Sequence, residues 1–296
     1  MTRLTAPFRM PAIAILATLV AACATGPSAT PGTTGGPTSA PTPTATPVID
    51  GIQHPTGATD VILRMETSGG FVPVEFMATF APSFTLYGDG TVVFRDPTAT
   101  PPESADGLNR SVPFMTIRLG EEAIQQLLTD AIGPGGLGIA VGPYIGLGAD
   151  IPTTTFTITA DGRTKSVSVV GLSPDMHPQN APIVTALANL AGRLDVFGGA
   201  VSAEEPYVPV AYRGVISSID QANGAVVAWP WTTIQPADFA KGPGPNDFLL
   251  IHTLTPADVT ALGIDNANGG LQGLTLRSAG KLYSFALRPL LPDETR

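Results

Sequence analysis

Between Ala24 and Pro47 the chain uses only Ala, Thr, Gly, Pro and Ser. Such a stretch cannot bury enough apolar surface to offset the entropy of ordering it, so any folded body must be built from the residues after Pro47. Residues 23–47 are therefore expected to form a disordered Pro/Thr/Gly-rich tether. Its Pro and Thr residues favour extended conformations, which puts its reach between about 27 Å as a flexible coil and roughly 75 Å fully extended. An O-glycosylated stalk is compatible with the same composition and changes only its stiffness.

The remainder of the chain has the means to fold. Of its 296 residues 43% are hydrophobic, enough for one large or two small cores. The 33 Gly and 30 Pro call for many turns and short elements, with few helices. The formal net charge is -9, and the three lysines, Lys165, Lys241 and Lys281, are scattered with no run of arginines beside them. A phosphate-backbone partner needs clustered cations, so no nucleic acid is expected, and a basic membrane-surface patch is equally absent.

The first 22 residues read as a targeting segment. Arg3 and Arg9 supply a positive start and 10–22 an apolar run too short to span a bilayer. The run closes on Val20-Ala21-Ala22-Cys23, which contains the chain's single cysteine. This resembles the lipobox of bacterial lipoproteins. The resemblance implies diacylglyceryl transfer to the Cys23 thiol, cleavage before it, acylation of the new amino terminus and a location at the cell membrane or outer membrane, facing away from the cytoplasm. Two or three acyl chains anchor a protein stably without a spanning helix. A lone cysteine, taken up by acylation, also leaves no disulfide, no cysteine-based metal site and no thiol enzyme to be expected.

From about residue 48 the pattern is α+β and rich in antiparallel hairpins, with two or three short helices. The expected organisation is an α+β domain over 48–200 and a smaller β-rich subdomain over 201–296, with a boundary near Glu204-Glu205-Pro206. Val61–Glu66 reads as a strand, and 71–76 as a second extended segment. In 84–95, two alternating runs flank Gly88-Asp89-Gly90. A three-residue loop with Gly90 left-handed pairs Phe84 with Phe94 and Leu86 with Val92 on one face. The period of 120–131 is helical, with Glu121 and Glu122 in the first turn and Gly133-Pro134 as a stop. The Gly-rich run 133–148 lacks a Gly-Lys-Ser/Thr ending and reads as a mobile surface loop rather than a phosphate cradle.

A second hairpin, Thr153 to Val170, turns at Asp161-Gly162 and sets Phe156 opposite Val167. Residues 182–194 form another amphipathic helix with Ile183, Leu187, Leu190, Ala191 and Leu194 on its stripe. Tyr212–Ile219 and 225–229 read as a strand pair joined through Asn223-Gly224. Thr255-Pro256-Ala257-Asp258 caps a short helix. The last hairpin, Leu271 to Leu287, turns at Ala279-Gly280 and pairs Leu276 with Tyr283 and Leu274 with Phe285. Strand, helix and hairpin thus recur, 117–171 against 251–289. Identity between the two is negligible, so a shared habit is preferred to duplication.

Over Val61 to Gly171, the Phe84–Gly90 hairpin, the Ile124–Leu128 helix and the Asp161-Gly162 turn resemble uncharacterised bacterial lipoprotein domains. That resemblance implies a secreted α+β module and no particular chemistry. Tyr212–Asp220 followed by Val226-Val227 is similar to the opening hairpin of small oligonucleotide/oligosaccharide-binding barrels, and carries no binding residues across.

Catalytic patterns are sparse. His54, His177 and His252 are not at metal-ligand spacing, and neither a Gly-x-Ser-x-Gly elbow nor a Ser-x-x-Lys pair occurs. Asp175 with His177 offers a carboxylate and an imidazole, although a turn before the helix explains both. Asp89 is what its turn demands. Asp265-Asn266-Ala267-Asn268-Gly269 resembles a calcium loop without its distal Glu. Trp229 and Trp231, beside the Lys241–Pro245 loop, either stack on a glycan or peptide or plug the core. The function expected is a non-enzymatic, lipid-anchored binding module for an envelope protein or glycan, with no cofactor and no metal. The alternative is an envelope hydrolase whose residues assemble only in the fold.

Overall fold

A computed structural model describes residues 51–295 apart from 73, 78, 97, 98, 104, 201–203, 223–225 and 243–248. The targeting segment, Cys23, the tether, the Asn223-Gly224 turn and most of the Lys241–Pro245 loop lie outside the described residues. Both sheets belong to one compact unit within Ile49–Arg296.

The protein is β-rich, with two sheets and few helices. The first sheet is antiparallel throughout. It contains β1 (Val61–Gly69), β2 (Phe84–Tyr87), β3 (Thr91–Phe94), β5 (Met115–Arg118), β6 (Pro152–Ala160), β7 (Arg163–Val170) and β8 (Glu205–Pro206), in the order β7-β6-β1-β2-β3-β5-β8. The second contains β9 (Tyr212–Ile219), β10 (Val226–Ala228), β11 (Ala240–Lys241), β12 (Leu250–Leu254), β13 (Leu271–Ser278) and β14 (Lys281–Pro289), in the order β10-β13-β14-β9-β12-β11. β4 (Asn109–Arg110) also pairs with β13. Short β4 thus leaves the first half of the chain for the second sheet, while β8 reaches back to the first.

Helices α2 (Glu121–Ile132) and α3 (Ala181–Asp195) cover one face of the first sheet. Ile124, Leu128 and Ala131 of α2, with Val184, Leu187, Leu190, Ala191 and Leu194 of α3, pack on Leu63, Met65, Phe156, Val167 and Val169. Single helical turns stand at α1 (Val74–Met77) and α4 (Phe197–Ala200). The ring of Phe197 lies edge-on to Phe84 and Phe94, at 5.1 and 5.5 Å between centroids. Helix α5 (Pro256–Thr260) starts on a capping box: Thr255 Oγ1 accepts from the Asp258 amide, and the Asp258 carboxylate accepts from the Thr255 amide.

The hairpin registers follow from the turns. Phe84 faces Phe94 and Leu86 faces Val92 across a Gly88–Gly90 loop in which Gly90 has φ +88°. Asp89 accepts the Thr91 amide at 3.0 Å, which accounts for its carboxylate within the turn. Asp161 and Gly162 are both left-handed and join β6 to β7, with Phe156 opposite Val167. Leu276 faces Tyr283 and Leu274 faces Phe285.

Gly90 carries a further constraint, because a Cβ there would run into the Leu119 carbonyl. Gly90→Ala is expected to cost roughly 1–3 kcal/mol from the left-handed backbone alone, and more from the clash. The check is a lower urea midpoint at unchanged m-value.

Three sequence expectations are corrected. The extended segment over 71–76 instead runs into the helical turn Val74–Met77. β10 does not pair with β9: it lies parallel to β13, while β9 sits between β14 and β12, where both of its edges are filled. The opening hairpin of a small oligonucleotide-binding barrel is therefore not formed. The 133–148 run is not a mobile loop, because it is bridged to β7 and sends side chains into the core. The two recurring halves also differ in connectivity, since hairpin β6–β7 lies at an edge of its sheet and joins it through β6, whereas β13–β14 is internal, β13 pairing with β10 and β4 and β14 with β9.

Candidate functional site

Helix α2 ends at Gly133, and the chain then turns through Gly136 at φ +82° to run beside edge strand β7. Leu137, Ala140 and Tyr144 are buried in the core under the sheet. The Tyr144 amide donates to Ser168 O at 2.8 Å, and the Val170 amide to Tyr144 O at 2.9 Å, making a parallel bridge to β7. Lys165 Nζ donates to the carbonyls of Leu137 and Gly138 at 2.7 and 3.2 Å. Over 137–144 the expected mobile loop is instead held along the sheet edge, because Leu137, Ala140 and Tyr144 fill the core and the Leu137, Gly138 and Tyr144 carbonyls accept hydrogen bonds there.

What this frame presents outward is apolar. Ile139 is 79% exposed, Val141 83%, Ile145 71% and Leu147 78%. Their neighbours Ala140, Tyr144 and Gly146 are buried. Gly146 faces the Val170 carbonyl so closely that a Cβ would clash with it, so the inner side of the segment takes no side chain there, and large residues alternate to the outside. Phe71, 91% exposed, follows Gly70, which packs on Pro152 and Asp150 just beyond the same segment. Sequence reasoning missed this row. The available signal was a run without a charged residue from 131 to 149 in which large apolar residues alternate with Gly and Ala.

The residues singled out from sequence lie elsewhere. His177 is buried, and its Nε2 faces Val170 O and Gly171 O at 2.9 and 3.0 Å, so that nitrogen carries the proton and donates to them. Asp175 is exposed on the Pro174–Met176 turn, so imidazole and carboxylate are not brought to one place. His54 Nε2 lies 3.1 Å from Glu121 Oε1, while His252 Nδ1 lies 3.1 Å from Asp238 O. Hydrogen bonds from Gln125 and then His54 hold the Glu121 carboxyl below its usual range. The three histidines thus have three separate sets of partners. Among the described residues, no three of His, Cys, Asp and Glu are placed to hold a metal ion.

Trp229 and Trp231 turn toward each other, 5.1 Å between centroids. Trp231 is only 6% exposed, lies 5.8 Å from Phe285 and donates from Nε1 to Asp258 O at 2.9 Å. Trp229 is half-buried against Phe239 and Tyr283 and donates to Ile234 O at 2.7 Å. Both indole N–H groups are spent inside the second sheet's core, and Trp231 has no free face for stacking. The Asp265–Gly269 loop borders a shallow cavity of about 410 Å³. Asp265 O there already accepts from Arg110 Nε at 2.8 Å, a cation where a calcium ion would compete.

The strongest electrostatics lie where the C-terminal turn Pro292–Glu294 meets both sheets. Asp293 Oδ1 accepts from Arg64 and from the Tyr87 hydroxyl, each at 2.7 Å. Glu294 takes a two-pronged pair from Arg288 at 2.6 and 2.7 Å. Burial alone would raise the Glu294 carboxyl, but Arg288 and the Leu291 amide outweigh it and bring it down. Burial, then Arg288, lowers Arg95 to about 10, and burial lifts Tyr207 to about 12. Arg95 lies 4.1 Å over the Phe114 ring, with Tyr207 edge-on to the same ring, and the pairs on Asp293 and Glu294 tie the C-terminal turn to both sheets like a clasp.

No helix among the described residues is long and apolar enough to cross a membrane. Compared with protein-family models, curated proteins and solved structures, the chain matches none of them.

Proposed function

We propose that this chain is a lipid-anchored protein of the bacterial cell envelope that works by binding rather than by catalysis, and that the Gly138–Leu147 rim is its contact surface. The observation that carries the reading is the outward row Ile139, Val141, Ile145 and Leu147 on a pinned frame. An apolar row held in water is unfavourable unless something covers it in use. Its lack of hydrogen-bonding side chains favours an apolar contact over a glycan. Attachment through Cys23 and a long uncharged tract suits such a module, because anchoring confines the body near its target while the tether leaves it free to turn.

The test is metabolic labelling of the full chain in a bacterial host with an alkyne fatty acid. Wild type is expected to carry label and Cys23→Ser to carry none. Label that persists in Cys23→Ser, or none in wild type, would sink the anchor assignment.

A further inference from the structure

We propose that the occupant of the rim is the phospholipid bilayer itself: Ile139, Val141, Ile145 and Leu147 seat in the interfacial layer, laying the edge of the first sheet on the membrane. The inference rests on the lipid-anchored reading and names the ligand of that surface.

Backbone accounting over 136–144 suits a surface that meets lipid. A segment that reaches the acyl boundary gains from satisfying its own N–H groups, since hydrocarbon offers them no partner. Along this loop the amides of Gly136, Leu137, Gly138, Ile139 and Ala140 donate to the carbonyls of Gly133, Ala131, Ile132 and, for the last two, Gly136. The Val141 amide donates to the Tyr144 hydroxyl at 3.1 Å, and the Tyr144 amide to Ser168 O. Over this stretch the donors turn in while Ile139 and Val141 turn out.

Charge points the same way. The chain is acidic overall, yet no charged residue stands between Asp130 and Asp150. Flanking the start of the segment, Arg163 is exposed and the Lys165 ammonium sits on the Leu137 and Gly138 carbonyls. Asp161 also lies at that end and Asp150 at the other, so charges border the row without interrupting it. Cations at the rim of an apolar surface meet phosphate headgroups while the apolar part enters the acyl boundary, to a depth of about 5–10 Å.

The point where the chain enters the folded unit supports a membrane over a distant partner. Gln53 and Asp161 exchange hydrogen bonds at 3.1 and 2.7 Å, and Asp161 lines one cavity of about 420 Å³ with Leu137, Gly138, Arg163 and Lys165. The segment leading back toward Cys23 therefore joins the body beside the first turn of the loop.

The experiment uses the full, lipidated chain reconstituted in vesicles of phosphatidylethanolamine and phosphatidylglycerol. Acylation consumes the native thiol, so a cysteine introduced as Ile145→Cys or Leu147→Cys is the only one free to take an environment-sensitive fluorophore. Val208→Cys, at an exposed site away from the loop, is the reference. The expected result is a blue-shifted emission at 145 and 147, with brominated-lipid quenching at least about twofold that at 208, consistent with interfacial depth.

A solvated probe at 145 and 147 in a chain whose Cys23 is acylated would overturn the proposal and leave the anchored reading intact. A probe shielded but not quenched by brominated lipid would overturn it too, pointing to a protein or a second copy on the rim. If Cys23 proves not to be acylated, the anchored reading fails alone. The same probes in a Cys23→Ser chain added to preformed vesicles then decide the rim by the same criterion.

Discussion

Replacing Glu294 by alanine is expected to destabilise the protein by about 3–5 kcal/mol, a large share of the total for a body of this size. The Arg288 side chain is 4% exposed and its Nε has no partner, so removing the carboxylate leaves a buried guanidinium with only the Pro289 carbonyl. Restoring balance should restore stability: Glu294→Ala with Arg288→Met is expected to recover much of the loss, because an apolar pair carries no desolvated charge. Urea denaturation of the four forms checks this as a double-mutant cycle. A simple sum of two losses would mean that the pair is not coupled.

The same pair sets a pH signature. The folded Glu294 carboxyl titrates lower than its unfolded value of about 4.3. Its contribution is therefore complete above that value and is lost as the pH falls through the depressed folded one. Wild type and Glu294→Gln should differ in stability at neutral pH and converge in acid. Curves that stay parallel into acid would show that the carboxylate is not what holds the turn.

Trp231→Ala is expected to cost about 3–5 kcal/mol by a different route, because it empties a ring-sized space against Phe285 and Trp229 and orphans the Asp258 carbonyl. Trp231→Phe should cost less, keeping most of the packing and losing only the N–H. Trp229, half-buried, should tolerate truncation better. Thermal unfolding reads all three. If Trp231→Ala instead melts like wild type, its ring is not structural and the stacking interpretation returns.

Local chemistry was legible wherever one turn governs a register. Gly88-Asp89-Gly90, Asp161-Gly162 and Ala279-Gly280 each set a pairing that the sheets keep, because a turn of known length leaves one way to put Phe84, Phe156 or Leu274 on the buried face. The α2 and α3 stripes were legible for the same reason, their period being intrinsic to the helix. The β9–β10 pairing failed because Asn223-Gly224 permits a hairpin without requiring one. Whether adjacent strands pair is decided by competition, and β14 and β12 take both edges of β9.

The proposed contact surface was the least legible part. Hydrophobicity would send Ile139, Val141, Ile145 and Leu147 inward, and an alternation with Gly and Ala only says that they share a side. Which side is a steric matter, settled by the Val170 carbonyl against Gly146 and by Leu137 and Tyr144 filling the core. The clasp was invisible for a different reason: Arg64 and Asp293 stand at opposite ends of the folded unit's sequence.

By itself the sequence determined the Gly88–Gly90, Asp161-Gly162 and Ala279-Gly280 turns, the hairpin registers they set and the α2 and α3 stripes, all consequences of interactions between residues close along the chain. Tertiary structure alone decided which edges pair across distant segments, where the histidines and tryptophans spend their hydrogen bonds, and that the Gly-rich run is an apolar rim rather than a loose loop. Those outcomes depend on space and partners contributed from elsewhere in the fold.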